Sequence, residues 1–507
     1  ESRTLSSSYN KENRLTTSIQ SGTLLPTTYE YDAKGRVVKE VTGSRIVSYS
    51  YDSKGNIATV TNAKGETTNY AYDIMDRVTT ITYPNGTTEN YEYDFNSNMT
   101  KLTTPTPSNF NFTYNGIDKR TSLTSPLGYQ TSYTYNKNRK LTSTTRPSGN
   151  TISNTYVNDR LTSTTTSEGT VNYTYLFDEK VGSITDANAK IVYGYDGELL
   201  TSVSQSGVLN QSINYTYNND FLVTSMTYAC VTQNYTYDDD GLLTSSGAFN
   251  ITRDADNGYV TKVSDGVLNI NKEYNDYGEL ISKSDNTLTY QLQRDAKGMI
   301  SQKTESLNGI DAVYDYEYDN RGRLTTVTKD NQVVESYTYD ANGNRVSATV
   351  NGVTTSAYYT LDDQTEVYGD NTYTYDEDGQ LVSKQSSSGT TTYTYNTYGT
   401  LTGVTLEDGT TIKYHLNPLN QRVAKEVNGV IVEKYLWENL TTLLAVLDAD
   451  DNVVQRYNYS DERVPTSLTQ DNQTYYLHYD QVGTLKLVTD AEHNVVKEIT
   501  YDTYGNI

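Results

Sequence analysis

The side chains able to do chemistry are few and scattered. Three histidines occur in 507 residues: His415, His478 and His493. Ser467 and Asp480 lie near His478 in sequence, the residue types of a nucleophile–base–acid relay. Such a relay is defined by geometry rather than by sequence distance, and strand-surface histidines within a repeat are the plainer reading. No G-x-S-x-G elbow, phosphate loop or dinucleotide glycine pattern occurs. One cysteine and three dispersed histidines give no zinc-ligand spacing. Asp448-Ala449-Asp450-Asp451-Asn452 and Asp254-Ala255-Asp256-Asn257-Gly258 set out oxygen atoms as calcium loops do, but the rest of a helix–loop–helix site is missing. Turn chemistry accounts for both, and Asp238, Asp239 and Asp240 likewise read as a solvated turn rather than an acid/base pair. Cys230, beside Tyr228, Ala229 and Val231, reads as a buried structural thiol. The expectation is a chain with no catalytic, cofactor-binding or metal-binding residue, and no enzyme.

The elements that would position any site dominate the sequence instead. The apolar set is 35% of residues and the net charge −23, but 50 residues are Tyr, against 6 Phe and 1 Trp. So many aromatics exclude disorder. Collagen-like and helical-array classes are excluded by the absence of a G-x-y period and of Leu/Ala/Glu runs. Acidity without Lys/Arg clusters disfavours nucleic acid and anionic membranes as partners. The longest apolar stretch, Leu440 to Leu447, is too short for a membrane span. A single cysteine excludes intramolecular disulfides without fixing the compartment. No signal peptide is visible.

Internal repeats are the strongest signal. Tyr-Asp or Tyr-Asn dipeptides begin at Tyr9, Tyr31, Tyr51, Tyr72, Tyr93, Tyr114 and Tyr135, at intervals of 22, 20, 21, 21, 21 and 21 residues. They become irregular from Tyr156 to Tyr237, return at Tyr274, Tyr318, Tyr339, Tyr375 and Tyr395, and continue to Tyr501. One unit reads Tyr337-Thr338-Tyr339-Asp340-Ala341-Asn342-Gly343-Asn344-Arg345-Val346. In Tyr-x-Tyr both rings fall on one strand face. The following Asp can bond backbone N–H groups just ahead and close a turn, and the Gly three residues on suits a left-handed backbone. β-Branched alternation then begins a second strand, which ends at turns such as Asn351-Gly352 or Asn428-Gly429. Each unit is thus a β-hairpin of roughly twenty residues, and about two dozen of them follow one another.

A lone hairpin is marginal in water, so stacked neighbours must bury its apolar face. A sheet this long must curl or close, because strands twist and open edges aggregate. Although the length alone suggests three or four domains, the repeats predict one all-β wall wound into a hollow spiral, shell or barrel. Tyrosine suits a wall with one wet side; periodicity does not say which side. Residues 103–109 read as a loop inserted between units. From 240 to 310 the tyrosines thin out, and Arg253-Asp254 and Arg294-Asp295 stand where Tyr-Asp is expected; these read as degenerate repeats continuing the sheet. Residues 436–447 read as a buried strand as well as a helix. Eleven Asn-x-Ser/Thr sequons, among them Asn111, Asn172, Asn214, Asn234 and Asn458, read as by-products of the Asn-Tyr-Thr-Tyr strand rather than glycosylation signals.

The unit Tyr-x-Tyr-Asp-x-x-Gly-Arg/Asn-Leu/Val resembles the YD repeat of Rhs proteins, bacterial wall-associated proteins, insecticidal toxin-complex shells and teneurins, over nearly the whole chain. From Tyr475-Tyr476-Leu477-His478-Tyr479-Asp480 to Tyr501-Asp502-Thr503-Tyr504-Gly505-Asn506 it resembles the start of an Rhs-associated core. The resemblance implies a repeat shell over 1–474, closed by a core-like region at 475–507. It also implies a secreted or cell-surface protein, more in the manner of bacterial members, that encloses a C-terminal cargo, often a toxin, lying outside these residues. In many bacterial members the core carries an aspartate-dependent self-cleavage motif with Asp-Pro; no Asp-Pro dipeptide occurs here, so autoproteolysis falls on no residue of this chain, which reads as a fragment of a longer polypeptide. The alternative is a teneurin-like adhesion or display module whose outside binds a protein or glycan, since tyrosine-rich surfaces make good interfaces.

Overall fold

In the computed structural model, which describes residues 3–177 and 179–506, every hairpin forms where the repeat places it. The described residues make 49 strands in one sheet and no helix. Each strand pairs antiparallel with the next in sequence, from Leu5–Tyr9 against Leu15–Gln20 through to Leu485–Thr489 against Val495–Glu498.

Two local devices build each unit. The first is the turn. Asp32 Oδ1 accepts the amides of Lys34 and Arg36 at 2.9 and 3.0 Å, and the Gly35 amide donates to Asp32 O at 2.9 Å. Hydrogen bonds from the Arg36 amide and guanidinium hold the Asp32 carboxyl down to about 2. The third residue after the Asp is left-handed, Gly35 having φ 85°. Where glycine is missing the conformation persists, in Asp76 (φ 62°), Ser97 (69°), Arg139 (64°) and Phe221 (62°). A register shift accompanies the turn, as between Glu30 and Tyr31 or Ser50 and Tyr51.

The second device is a tyrosine clamp. The ring before the Asp reaches back one hairpin, and its hydroxyl donates to the carbonyl that opens the preceding strand. Thus Tyr72 bonds Ile57 O at 2.8 Å, Tyr93 bonds Val78 O at 2.9 Å and Tyr339 bonds Leu324 O at 2.6 Å. At three positions where a nitrogen donor replaces the tyrosine the bond is kept, whereas Leu416, before the Asn417 turn, has no donor to make it. Arg253 Nε donates to Leu243 O at 2.9 Å, an Arg294 nitrogen to Leu280 O at 3.1 Å, and Trp437 Nε1 to Arg422 O at 2.7 Å. The stretch 240–310 is therefore continuous sheet, and 436–447 holds the end of one strand and the buried strand Leu443–Leu447. Residues 103–109 are not an insertion between units. Strands end at Thr103 and begin at Asn109, and 104–108 are an ordinary turn of one unit, closed by Thr104 N to Ser108 O at 3.0 Å.

The sheet winds back on itself. The Asp-type turns of the second winding rest on the opposite rim of the first, between residues 212 to 251 apart in sequence. Arg3 meets Asp238 at 2.9 Å, Arg45 forks onto Glu279 at 2.8 and 2.9 Å, and Ser125 donates to Asp362 at 2.7 Å, separations of 235, 234 and 237 residues. The surface confirms a thin wall: 26257 Å² is exposed, against about 19,000 Å² for a compact monomer of this mass.

Candidate functional site: the inner wall, its seam and the inward coil

The two faces of the wall differ in kind. On one, tyrosines alternate with Val, Ile and Thr; on the other, cross-strand hydroxyl pairs such as Ser50–Thr59 at 2.6 Å and Thr216–Ser225 at 2.6 Å run beside ion pairs such as Lys39–Glu30 at 3.2 Å. Asn111, Asn172, Asn214 and Asn234 are exposed on this second face.

Packing at the end of the chain decides which face is concave. In Val430–Trp437, Tyr435 and Trp437 share the tyrosine face, while Lys434 and Leu436 point the other way and are buried. Leu436, Leu444, Ala445 and Leu447 form one cluster with Ile213, Met226 and Tyr228, and Ile213 lies on the tyrosine face of the earlier winding with Tyr215 and Tyr217. The back of the second layer therefore sits on the tyrosine face of the first. The length of chain per winding also falls: Arg253 and Asp461 pair 208 residues apart, His478 and Asp285 193, and Thr503 and Glu335 168. A shorter circuit has a smaller radius, so the C-terminal end lies inside and the tyrosine face lines the lumen.

The seam is rich in charge. Lys64 pairs with Asp295 at 2.7 Å and Lys297 with Glu66 at 2.8 Å, so one contact is made in both directions. Burial works to raise Glu66, Glu279 and Asp295, but the facing cations and hydrogen bonds hold all three below the ordinary carboxylate range. Asp238 and Asp240 both take Arg3, so the triple-Asp turn is part of the seam.

The inward coil ends on the inner wall. Glu462 pairs with Lys272, and Tyr476 joins Phe249, Ile251 and Val263 while donating to Asp265 at 2.7 Å. The last turn, 501–506, lies on another hairpin's tyrosines: Tyr504 meets Tyr337 edge-on at 4.7 Å, and Arg345 covers its ring at 4.1 Å.

His478 is no surface residue. It is 1% exposed, with Nδ1 2.8 Å from Asp285 and Nε2 2.9 Å from Thr489 Oγ1. Its partners are not Ser467 or Asp480. The sequence of hydroxyl, imidazole and carboxylate has a relay's order, but Thr489 is 0% exposed, which leaves no room for a substrate; the array braces the inner coil against the outer layer. His415 bonds Glu426 at 2.8 Å, and His493 bonds Asn286 at 3.0 Å. Asp448 takes the amides of Asp450 and Asn452, and Asp254 those of Asp256 and Asn257, so both acidic loops are turns of the repeat. Cys230 is exposed rather than buried. Ala229 and Cys230 have φ of 48° and 61° and form the two-residue turn between Val223–Tyr228 and Val231–Tyr237.

The Teneurin YD-shell family matches residues 1–507. The chain belongs to that family. Its relatives include the tRNA nuclease WapA of Bacillus subtilis, 27% identical over 195 residues, which are 37% of this chain and 8% of WapA. Mouse teneurin-3 is 26% identical over 376 residues, 66% of this chain and 13% of that protein. This YD-shell chain thus spans 8 to 13% of the length of these relatives. Among solved structures, a TcdB2–TccC3–TEV crystal structure superposes on 99% of the chain and 33% of its own, with TM-score 0.59 at 14% identity. The Photorhabdus luminescens Tc holotoxin pore does so on 100% and 33%, with TM-score 0.59. The fold is that of a YD-repeat shell.

Proposed function

We propose that this chain is the non-enzymatic wall of a secreted or cell-surface protein, and that it encloses a C-terminal cargo lying beyond residue 507. The observation that carries the reading is the bonded seam, which turns a long sheet into a continuous wall around a tyrosine-lined lumen. Among the described residues every buried apolar side chain lies at Ile184 or beyond, so over the first 183 residues the inner face packs against no apolar cluster. The last residues run inward, where a following segment would continue. Shell-type relatives point the same way: WapA is by name a tRNA nuclease, and the structural neighbours are toxin assemblies. Residues 1–474 then serve as wall and 475–507 as its closing region, although inward packing already begins at Val423. The test is electron cryo-microscopy of the natural polypeptide with limited proteolysis. Density inside a closed wall and a protease-resistant C-terminal segment are expected; an empty shell with that segment outside overturns the reading.

A second reading, display of a partner-binding surface, is favoured by one feature. The Asp-turn rim of the first winding has no earlier winding to rest on, and it exposes Ile74 (91%), Phe95 (97%) and Phe221 (70%). Exposed aromatics on one edge mark interaction surfaces. Saturable binding of residues 1–507 to target cells, lost in Phe95→Ser, would establish it, and a flat response would remove it.

A further inference from the structure

The turn after Trp437 departs from the repeat. Most units place Asp or Asn after the clamping ring and use it to close the turn; here Glu438 stands there and does not. Asn439 takes over, its Oδ1 accepting the amides of Thr441 at 2.9 Å and Thr442 at 3.0 Å. The Glu438 carboxyl has neither hydrogen bond nor ion pair among the described residues. It reaches a cleft of about 340 Å³ between the outer layer and the inner coil, at the small end of ligand pockets.

Four aromatic rings line that cleft: Tyr215, Tyr235, Tyr237 and Tyr459. Two are fixed by their clamps, Tyr237 to Val223 O at 2.8 Å and Tyr459 to Leu443 O at 2.9 Å. The hydroxyls of Tyr215 and Tyr235 form no hydrogen bond among the described residues. The second carboxylate on the lining, Glu462, is already matched by Lys272 and Lys283, so Glu438 is the uncompensated charge. Glu438 is exposed at the mouth of the cleft, yet desolvation by the protein around it holds its carboxyl above the ordinary range, and no neighbouring cation opposes that.

A cluster of neutral rings with one free carboxylate is poorly suited to an anion, which the carboxylate repels, or to a bare metal ion, which needs several oxygen ligands. It suits a cation that carries its own apolar surface, because ring faces attract positive charge and pack against methyl groups at once. We propose that this cleft binds a small quaternary ammonium compound, with the tyrosines forming the cage and Glu438 supplying the counter-charge. The cage spans both layers, so an occupant would also pin the inner coil to the wall.

Trp437, the sole tryptophan, adjoins Glu438 and can be excited selectively, giving a built-in reporter. Residues 1–507 are titrated with choline chloride against matched sodium chloride, following Trp437 emission and, in parallel, calorimetric heat. A saturable response to choline alone is expected. Glu438→Gln, similar in shape and uncharged, is expected to weaken binding about tenfold or more. Tyr235→Phe keeps the ring face and the affinity, whereas Tyr235→Leu loses it. No saturable signal, an equal response to sodium chloride, or unchanged affinity in Glu438→Gln would each overturn the proposal. Circular dichroism of each variant separates lost binding from lost folding.

Discussion

The wall is built in two ways within one chain. Residues 1–183 form a single layer whose inner face carries the regular Tyr-x-Tyr-Asp units, and none of the buried apolar residues lies there. Residues beyond 183 include the overlap of outer layer and inner coil, where Leu436, Leu444 and Leu447 meet Ile213 and Met226, and Tyr476 meets Phe249 and Ile251. The first region is held by local repetition, one turn and one clamp per hairpin. The second adds a core. In the overlap the tyrosine face gains Ile213, Met226, Phe249 and Ile251 beside tyrosines that the repeat retains, such as Tyr215, Tyr217, Tyr235 and Tyr237.

Breaking the brace at the inner coil has the largest effect. His478→Ala leaves Asp285 buried and stripped of its partner. Burial pushes that carboxyl up, while the His478 hydrogen bond and charge bring it below the ordinary range. Removing one member of a buried pair costs about 3–5 kcal/mol. Chemical denaturation read at Trp437 should show that loss. A destabilisation under about 1 kcal/mol would mean that the coil is not fastened there.

The contrast between regions is sharpened by matched truncations. Leu447, 0% exposed in the overlap, should cost about 2–5 kcal/mol as Leu447→Ala. Ile81, half-exposed on the single-layer inner wall, should cost only about 1 kcal/mol as Ile81→Ala. Equal losses would contradict the single-layer description of the first region. Next in size is the clamp. Tyr93→Phe keeps the ring and removes only the bond to Val78 O, an expected loss of about 1 kcal/mol, measured as local amide exchange at the strand that Val78 opens.

Most of the fold was legible because its determinants are local. The Tyr-Asp spacing, the left-handed position after the Asp and the Asn-Gly turns act within a few residues, so hairpins and their order could be read without the tertiary structure. What was not legible depends on residues about 200 apart. His478 looks like any strand histidine until the winding sets it on Asp285. The direction of the tyrosine face follows from the back of Leu436 packing on Ile213, and no period encodes that. Cys230 is hidden because Tyr228, Ala229 and Val231 suggest a continuous apolar strand, whereas Ala229 and Cys230 adopt the left-handed turn without the Asn or Gly that would announce it. In 103–109 two prolines suggest a break, while the turn is of ordinary length.

The smallest effect concerns the seam itself and its response to acid. Glu66, Glu279 and Asp295 have carboxyls below their ordinary values in the folded chain. A group depressed on folding contributes stability that is complete above its unfolded pKa, about 4, and is lost as pH falls through the folded value. The seam should therefore hold unchanged from neutrality to about pH 5 and loosen below about pH 4. Glu438, raised by desolvation, has the opposite sign, so its neutralisation on acidification relieves strain rather than adding it. The turn carboxylates of both windings, such as Asp32 and Asp448, are also depressed, and acid alone does not isolate the seam. Glu279→Gln does: it removes one titrating seam carboxylate, and the amide oxygen of Gln can still accept from Asn275 Nδ2, the bond that Glu279 makes within its own turn at 3.0 Å. Its melting temperature should lie below that of the unchanged chain at pH 7 and approach it near pH 3, with about 1 M salt narrowing the gap at neutral pH. A gap that is constant with pH would mean that Arg45 and Glu279 join the windings by shape rather than by charge.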